Sequence, residues 1–330
     1  MTLPFRDLET DVLVAGAGPA GATIARLLAS AHLRVLLVDP LSSPLQRLEV
    51  LAPAAYPVLE ALDLKPVLEK PGLACCCLGI RRRWGTSDVE VDAFLNRPGG
   101  RGLVIERSLF DEALRQEAIR NGARLIEGRV TGLFKEGRTI SVKVRHPQRC
   151  LSIQAQLVVD ATGRPAALAR RFGTSRIFSE RLVAEKFVSA QSRSYGARAL
   201  WLEVKSERSG WTYSLSGPDG RRETWRVKRA GEGPGASSLQ RLQTVDASSV
   251  YLSCAGGDGW IAVGDAAASF DPITSQGLIN TLATSLVAAA AILETGDTQQ
   301  ERFESYSAAV AATFLRSEVG RKEVYQVFAS

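Results

Sequence analysis

The stretch that decides the fold is Val14-Ala15-Gly16-Ala17-Gly18-Pro19-Ala20-Gly21, which has the pattern G-x-G-x-x-G. An apolar run, residues 11–15, precedes the glycines, and a helical pattern covers residues 20–31. A second apolar run, residues 35–38, follows and ends at Asp39. This order predicts a βαβ unit at the start of the chain.

Each glycine of this motif has a physical reason. Gly16 permits a tight turn, Gly18 lets the backbone approach a pyrophosphate, and Gly21 allows the helix to pack closely on the strand. The helix that begins at Ala20 supplies N–H groups and the positive end of its dipole. Asp39 is placed to accept hydrogen bonds from a ribose. The context predicts dinucleotide binding, and the alternative is a purely structural glycine turn.

The bulk composition predicts a globular protein without a nucleic-acid partner. The chain has 330 residues, 45% of them hydrophobic, and a formal charge of +6. Such a charge suits a nucleic acid or an anionic ligand, but the basic residues are scattered apart from Arg81-Arg82-Arg83, for which we expect a solvated loop. No signal-peptide pattern precedes the first strand, which indicates the cytoplasm. Residues 278–293 are apolar but short for a membrane span, and we expect a buried helix there.

The residue inventory excludes several kinds of catalysis. The chain contains two histidines, His32 and His146, so Ser-His-Asp and multi-histidine metal sites are not expected, and both are predicted to lie at the surface. Cys75, Cys76 and Cys77 are adjacent and lack the spacing of a zinc site or a disulfide framework. We expect buried thiols in a strand and no metal. No catalytic side chain is predicted, and the chemistry must come from elsewhere.

The remaining pattern predicts a nucleotide domain split around a β-rich insertion. Ser108 is a candidate N-cap for a helix that ends near Gly122. The other predicted elements are helices at 56–62, 274–293 and 300–319, strands at 102–105, 129–134, 139–144, 153–159, 250–253 and 260–263, and a β-rich, aromatic region at 176–227. The predicted divisions are a first nucleotide-binding segment (1–72), substrate-domain strands or loop (73–101), a second nucleotide-binding segment (102–175), a β-rich substrate domain (176–245), and a third nucleotide-binding segment with the C-terminal helices (246–330).

Two later stretches specify the dinucleotide. Asp160-Ala161-Thr162-Gly163-Arg164 follows one apolar strand, and Gly264-Asp265-Ala266-Ala267 follows another and leads to Pro272 and Gly277. With these three ordered motifs the sequence resembles the FAD-dependent monooxygenase and halogenase superfamily, over nearly all the chain except its β-rich middle. The resemblance implies an α/β fold with a doubly wound, Rossmann-like and discontinuous FAD-binding domain, roofed by a smaller β-sheet substrate domain.

The resemblance also implies roles for particular residues. Asp265 would bond the ribityl chain, and Pro272 would lie against the isoalloxazine. The amides of Ser275, Gln276 and Gly277 would face the pyrimidine edge, where reduced flavin is negative. The alternative for Asp265 is an ordinary turn acid. The remaining FAD-binding candidates are Arg107 and Arg47, whose alternative is a solvated charge beside a helix, Val130 at the adenine, and the motif residues Asp160, Gly163 and Gly264.

The stretch from Asp271 to Gly277 is nearest the halogenase-like branch, which includes flavoproteins that modify tryptophan in quinone-cofactor biogenesis. Simple hydroxylases usually have G-Q-G-x-N here, and Asn280 comes one place too late for that pattern. Residues 210–215 keep only the aromatic alternation of the G-W-x-W-x-I-P signature of tryptophan halogenases. Lys65 and Lys70 lie in the region of the halogenase lysine without matching context.

The predicted function is FAD-dependent hydroxylation of an indole-like or phenol-like group, in which a flavin C4a-hydroperoxide formed from O2 supplies the oxygen. The target would be a small molecule or a tryptophan side chain of a partner protein. A flavin-dependent halogenase and a reductase of the geranylgeranyl-reductase type are the alternatives. NAD(P)H or a partner flavin reductase would donate electrons. Trp211 and Tyr213 share one strand face, where they would stack on the substrate or fill the core.

Overall fold

A computed structural model describes residues 8–42, 46–85, 88–190, 200–207, 210–217, 220–233 and 240–329. The strands within these ranges are β1 (Leu8–Ala15), β2 (Val35–Asp39), β3 (Leu48–Leu51), β4 (Ala74–Arg83), β5 (Glu90–Ala93), β6 (Gly102–Glu106), β7 (Arg124–Glu127), β8 (Arg129–Glu136), β9 (Thr139–His146), β10 (Arg149–Asp160), β11 (Arg176–Glu180), β12 (Leu182–Ala190), β13 (Leu200–Glu207), β14 (Gly210–Ser216), β15 (Arg221–Arg229), β16 (Arg241–Asp246), β17 (Ser249–Leu252), β18 (Gly256–Gly257), β19 (Trp260–Ala262) and β20 (Ala268–Ser269). The α-helices are α1 (Pro19–Ser30), α2 (Tyr56–Ala61), α3 (Lys65–Leu68), α4 (Arg107–Arg120), α5 (Gly277–Leu293) and α6 (Gln299–Ala329).

The first sheet carries the glycine motif. Its strand order is β18-β19-β10-β1-β2-β7, and β1 runs parallel to both β2 and β10. Val12 and Val14 face the helix layer, where they pack with Ile24 of α1. Leu13 faces the opposite side, where it packs with Ile140 of the antiparallel β8–β9 hairpin. Both faces of β1 are therefore buried over residues 12–15, where its sequence is continuously apolar.

A second sheet forms the other wall of the molecule. Among the described residues its order is β16-β12-β15-β14-β13-β4-β6-β3, with β5 paired to β4. Its strands come from residues 48–106 and 182–246, so β3 and β6 join this sheet although they fall in the segments assigned to FAD binding. The predicted division of the chain into five segments stays a prediction. A small third sheet, in the order β11-β17-β20, completes the fold. Residues 191–199 and 234–239 of the expected β-rich domain, with Tyr195, lie outside the described residues.

Three helix boundaries differ from the prediction. Ser108 is not an N-cap, because the N–H of Arg107 already bonds the carbonyl of Arg47 (2.9 Å) and α4 starts directly after β6. The helix expected to start at Thr274 starts at Gly277 instead, because Ser275 has a φ of +49°, which is incompatible with a right-handed helix. α6 continues to Ala329. Its buried stripe becomes polar near the expected end at residue 319, which conceals the continuation in the sequence.

Several local predictions can also be compared with the structure. Cys75, Cys76 and Cys77 lie in β4 as predicted, but only Cys77 is buried, while Cys75 and Cys76 are half-buried. The expected loop at residues 81–83 is wrong, because these arginines end β4, where the Arg81 guanidinium lies over the Trp201 ring. Residues 278–293 form the predicted helix. No helix in the described ranges is long and apolar enough to cross a bilayer.

Candidate functional site

A cleft of about 1040 Å³ lies between the two large sheets. It draws its walls from the glycine turn, from the loops after β10 and β19, and from the inner face of the second sheet. Of the residues predicted from sequence to bind cofactor, those that line the cleft are Gly16, Gly18, Ala20, Asp39, Arg47, Arg107, Val130, Gly163, Asp265, Pro272, Ser275 and Gly277. The fold therefore collects motifs from distant regions of the chain at one cavity.

The glycine turn is shaped for close backbone approach. Gly16 has a φ of +102°, and a Cβ there would lie 2.2 Å from the carbonyl oxygen of Ala161. A Cβ on Gly21 would lie 1.8 Å from the carbonyl oxygen of Gly16. Gly18 has no heavy atom within 4 Å of its Cβ position, and α1 has no side-chain cap. Gly16 and Gly21 therefore allow the backbone to pack closely in this turn. Gly18 leaves the start of α1 open to an anion.

Asp39 ties β2 to this turn. Its Oδ2 accepts a hydrogen bond from the N–H of Ala17 (2.7 Å), and its Oδ1 accepts one from the N–H of Leu41 (2.7 Å). An ionised carboxylate has about four acceptor positions, so capacity remains for a ribose hydroxyl. Val130 borders the same end of the cleft, beside Arg129.

Four predicted binding residues do not line the cleft themselves. They lie behind or beside the residues that do. Asp160, 1% exposed, accepts hydrogen bonds from the amides of Leu168 (2.8 Å) and Ala169 (2.7 Å) and from both the amide and hydroxyl of Thr162. It thereby folds the loop that presents Gly163. The other three are Gly21 in the turn, Gly264, whose Cβ would lie 2.7 Å from the Cβ of Ala20, and Gln276, whose side-chain oxygen accepts from the Ser317 hydroxyl (3.4 Å).

Three arginines converge on the middle of the cleft. Arg47 and Arg107 both bond the Glu49 carboxylate, Arg107 at 2.8 Å. Burial, and next the like charge of Arg107, lowers the pKa of Arg47 to about 10. Arg164 donates to the carbonyl oxygen of Phe270 (3.0 Å) and lies 3.7 Å from the Asp265 carboxylate. The sequence prediction missed Glu49, which has no motif and is placed by the pairing of β3 with β6.

The far end of the cleft is apolar and aromatic. Trp211 and Tyr213 of β14 both border it, although Trp211 is only 1% exposed. Trp211 packs in a buried cluster with Trp225 and Val227, as the core alternative expects, while stacking on a substrate stays a prediction. Burial raises the pKa of Tyr213 to about 12, so its phenol is neutral at physiological pH. The aliphatic side chains on this wall are Leu48, Val50, Ile80, Leu202, Val204 and Leu215.

Asp271 and the end of α6 complete this wall, and the sequence prediction gave neither a role. Asp271 is 1% exposed and precedes Pro272, and Val324 of α6 borders the cleft. Burial raises the pKa of Asp271 to about 6, although hydrogen bonds from Ile273 and Tyr325 oppose the rise. No sequence signal connects α6 to this site, because the contacts depend on a helix longer than its apolar stripe predicts.

A protein-family model described as lycopene cyclase protein matches residues 11–178, just over half of the chain. The chain belongs to this lycopene cyclase family. The match covers the glycine turn, β10 and the loop after it. It therefore includes the G-x-G-x-x-G motif and Gly163, but not the stretch around Asp265.

This member of the lycopene cyclase family is similar to flavoenzymes of several activities. Digeranylgeranylglycerophospholipid reductase of Thermoplasma volcanium is 26% identical over 97% of this chain and 89% of its own length. Tryptophan 2-halogenase of Chondromyces crocatus is 26% identical over 86% of this chain and 61% of its own length. The solved structure of the peptidyl tryptophan dihydroxylase QhpG has a TM-score of 0.78 at 22% identity, over 97% of this chain and 75% of that one.

These comparisons confirm the predicted fold class. This chain has the α/β, Rossmann-like fold that is seen in the solved structures of FAD-dependent halogenases and monooxygenases. The predicted resemblance to that superfamily is confirmed with it. The predicted enzyme class, a FAD-dependent oxidoreductase, is also the class of these relatives.

Proposed function

We propose that the protein binds FAD in the cleft and hydroxylates an indole-like or phenol-like ring. The observation that carries this proposal is the position of Trp211 and Tyr213 in the same cleft as the glycine turn and Pro272. A planar aromatic group can stack on the half-buried Tyr213 ring, with Trp211 packed behind it, and an apolar wall keeps water away from that group. The target is a small molecule or a tryptophan side chain of a partner protein.

The residues present fit FAD. The open Cβ position of Gly18 and the uncapped start of α1 suit a pyrophosphate, and Asp39 suits a ribose. Asp265 would hold the ribityl chain and Pro272 would lie along the flavin ring. A cleft of about 1040 Å³ is at the upper end of the range for ligand sites, which leaves room for a substrate beside a large cofactor. FAD, when bound, supplies the redox and oxygen chemistry.

The protein's own role is to bind, orient and desolvate. Arg47 and Arg107 line the middle of the cleft, where their N–H groups can bond the anionic groups of a ligand, although Glu49 and Asp111 balance their charge. The aliphatic side chains of the second sheet exclude water from the substrate end. NAD(P)H or a partner flavin reductase is proposed as electron donor. The predicted cytoplasmic location and the predicted absence of a nucleic-acid partner stay predictions.

The halogenase alternative is less favoured by this cleft. Among the described residues, those that line it include no lysine. Lys65 starts α3 and Lys70 lies 3.9 Å from Glu117, both away from the cleft wall. Within the described part of the chain, neither Lys65 nor Lys70 therefore lines the cleft in the role of the halogenase lysine.

Reduction of an isoprenoid alkene is the second candidate. Six aliphatic side chains border the substrate end, which suits a polyene chain as well as an aromatic ring. Several of the sequence relatives are digeranylgeranylglycerophospholipid reductases, and the family model carries the name of an enzyme of lycopene. This candidate requires turnover without O2.

One experiment distinguishes the two candidates. The purified protein is loaded with FAD, reduced with dithionite, and mixed with indole under ¹⁸O2 or with geranylgeraniol under argon. Our proposal expects one labelled oxygen atom in the indole product and no reduced alkene. Alkene reduction without oxygen incorporation would establish the second candidate. Failure to bind FAD at all would refute both.

A further inference from the structure

Three side chains from three elements form a hydrogen-bonded chain behind the substrate end of the cleft. The Trp211 Nε1–H on β14 donates to the Tyr325 hydroxyl on α6 (2.9 Å). The Tyr325 hydroxyl donates to Oδ2 of Asp271 (2.9 Å). Trp211 and Asp271 border the cleft, and Tyr325 connects them from behind.

The donors and acceptors fix the direction of this chain. An indole nitrogen can only donate, and an ionised carboxylate can only accept, so the Tyr325 hydroxyl must accept from Trp211 and donate to Asp271. The other carboxylate oxygen, Oδ1, accepts from the Ile273 N–H (3.0 Å). The phenol therefore has one orientation as long as Asp271 is ionised.

Other charged groups hold α6 in the position that this chain requires. Arg321 lies one turn before Tyr325, with its Nη1 3.9 Å from Oδ2 of Asp271. Its Nε bonds Glu318 (2.8 Å), and its Nη1 bonds Glu180 of β11 (2.5 Å). The last turns of α6 are thus tied to the third sheet as well as to the cleft.

We propose that Tyr325 is a positioning residue, which fixes the Trp211 indole in the cleft wall under the control of Asp271 and so sets the affinity for a flat aromatic group. The substrate aspect of this inference rests on the proposed function. The hydrogen-bonded chain itself does not, because both of its hydrogen bonds join protein side chains. Asp271 and Trp211 contribute the two ends of the chain, and Tyr325 acts through them.

Protonation of Asp271 changes the chain. A protonated carboxyl competes as a donor, so the Tyr325 hydroxyl loses its single orientation. Burial raises the pKa of Asp271 to about 6, so the change falls in an accessible range. The groups that face this carboxyl are the Ile273 amide on its own segment, Tyr325 and Arg321 on α6, Glu180 on β11 and Tyr213 on β14. Tyr325 and Arg321 favour the charged form, and Glu180 opposes it.

The first test is a pH titration of tryptophan fluorescence in the whole protein without substrate. We expect a transition near pH 6 in the wild type. Tyr325→Phe removes a donor to the carboxylate, so its transition moves to higher pH, and Asp271→Asn removes it. Tyr306→Phe is the matched control, because Tyr306 is buried on the same helix and bonds the Ala262 carbonyl (2.7 Å) instead. A transition that stays unchanged in both Tyr325→Phe and Asp271→Asn overturns the proposal.

The second test measures indole binding to the FAD-loaded protein by its flavin difference spectrum. Tyr325→Phe removes the hydrogen bond that orients Trp211 and should raise the Kd of indole, by at most about tenfold because one hydrogen bond contributes no more than that, and Tyr306→Phe should leave it unchanged. An equal Kd for Tyr325→Phe and wild type contradicts a positioning role. If indole does not perturb even the wild-type flavin, the proposed function fails, while the fluorescence titration still decides whether the chain exists.

Discussion

The two ends of the cleft are built in different ways. The nucleotide end consists mainly of backbone, with Gly16, Gly18 and Gly21 within a single turn. The substrate end consists of side chains that meet from far apart, since Trp211 and Tyr325 are separated by 114 positions and Asp271 and Tyr325 by 54. A backbone site can be recognised in a short stretch of sequence, whereas a side-chain site depends on the whole fold.

The largest expected effect concerns the glycine turn. Gly21→Ala should abolish or severely reduce folding, because its Cβ would meet the backbone of Gly16 at 1.8 Å. Gly18→Ala should keep the thermal midpoint, since its Cβ has free space, but lower the affinity for FAD. Thermal unfolding and FAD titration of both variants check this. Equal stability of the two variants would mean that the turn is less constrained than its geometry indicates.

The second prediction concerns the pH dependence of stability at the substrate end. Asp271 has a folded-state pKa of about 6, above its unfolded value of 3.8, so the folded protein binds this proton more tightly. Its contribution to stability is therefore lost as pH rises from about 4 through 6. Asp271→Asn should gain free energy of unfolding relative to wild type over this interval, by about 2 to 3 kcal/mol, measured by urea denaturation at each pH.

Asp246→Asn provides a control of opposite sign. Burial alone would raise the pKa of Asp246, but the hydroxyl and amide of Ser248 outweigh it and lower the pKa. The ionised carboxylate of Asp246 stabilises the folded protein above the pKa that this group has in the unfolded chain. This stabilisation is lost as pH falls. Asp246→Asn should therefore lose stability relative to wild type as pH rises. The same trend in both variants would contradict the assignment for Asp271.

A third prediction tests the charge in the middle of the cleft. Arg107→Gln should weaken FAD binding about tenfold or more, the usual loss for one charged hydrogen bond. Arg120→Gln is the control, since Arg120 lies at the other end of α4, 58% exposed, and pairs with Glu117. Titration followed by flavin absorbance measures both. Arg107 bonds both Glu49 (2.8 Å) and Asp111 (2.9 Å), so unchanged affinity in Arg107→Gln would mean that Arg107 only connects these two carboxylates.

The smallest effect is expected at Tyr213. Tyr213→Phe keeps the ring and removes a phenol that burial holds neutral, with a pKa of about 12. Indole affinity should change less than about threefold, without a new pH dependence. A larger loss would indicate that the hydroxyl itself contacts the substrate, which would make this end more polar than the proposal assumes.

The sequence was sufficient to predict the elements whose signal is local. The βαβ unit, the strands after Arg129 and the buried helix at residues 278–293 each have a continuous pattern and are confirmed. The Ser108 cap, the loop at residues 81–83 and the end of α6 were wrong, because tertiary pairing decides them. Glu49 and Tyr325 could not be assigned to the site, since no residue beside them in the sequence specifies their partners.

The long helix α6 contacts both large sheets. Phe303 and Tyr306 are buried against the first sheet, Phe314 packs on Tyr251 of the third sheet, and Tyr325 reaches Trp211 of the second. The 31 residues of this helix extend about 46 Å at 1.5 Å per residue. The helix therefore connects the two sheets, and we expect them to unfold as one cooperative unit. In hydrogen exchange, amides near Tyr306 and near Arg321 should open together, and faster exchange confined to the Arg321 end would separate them into two units.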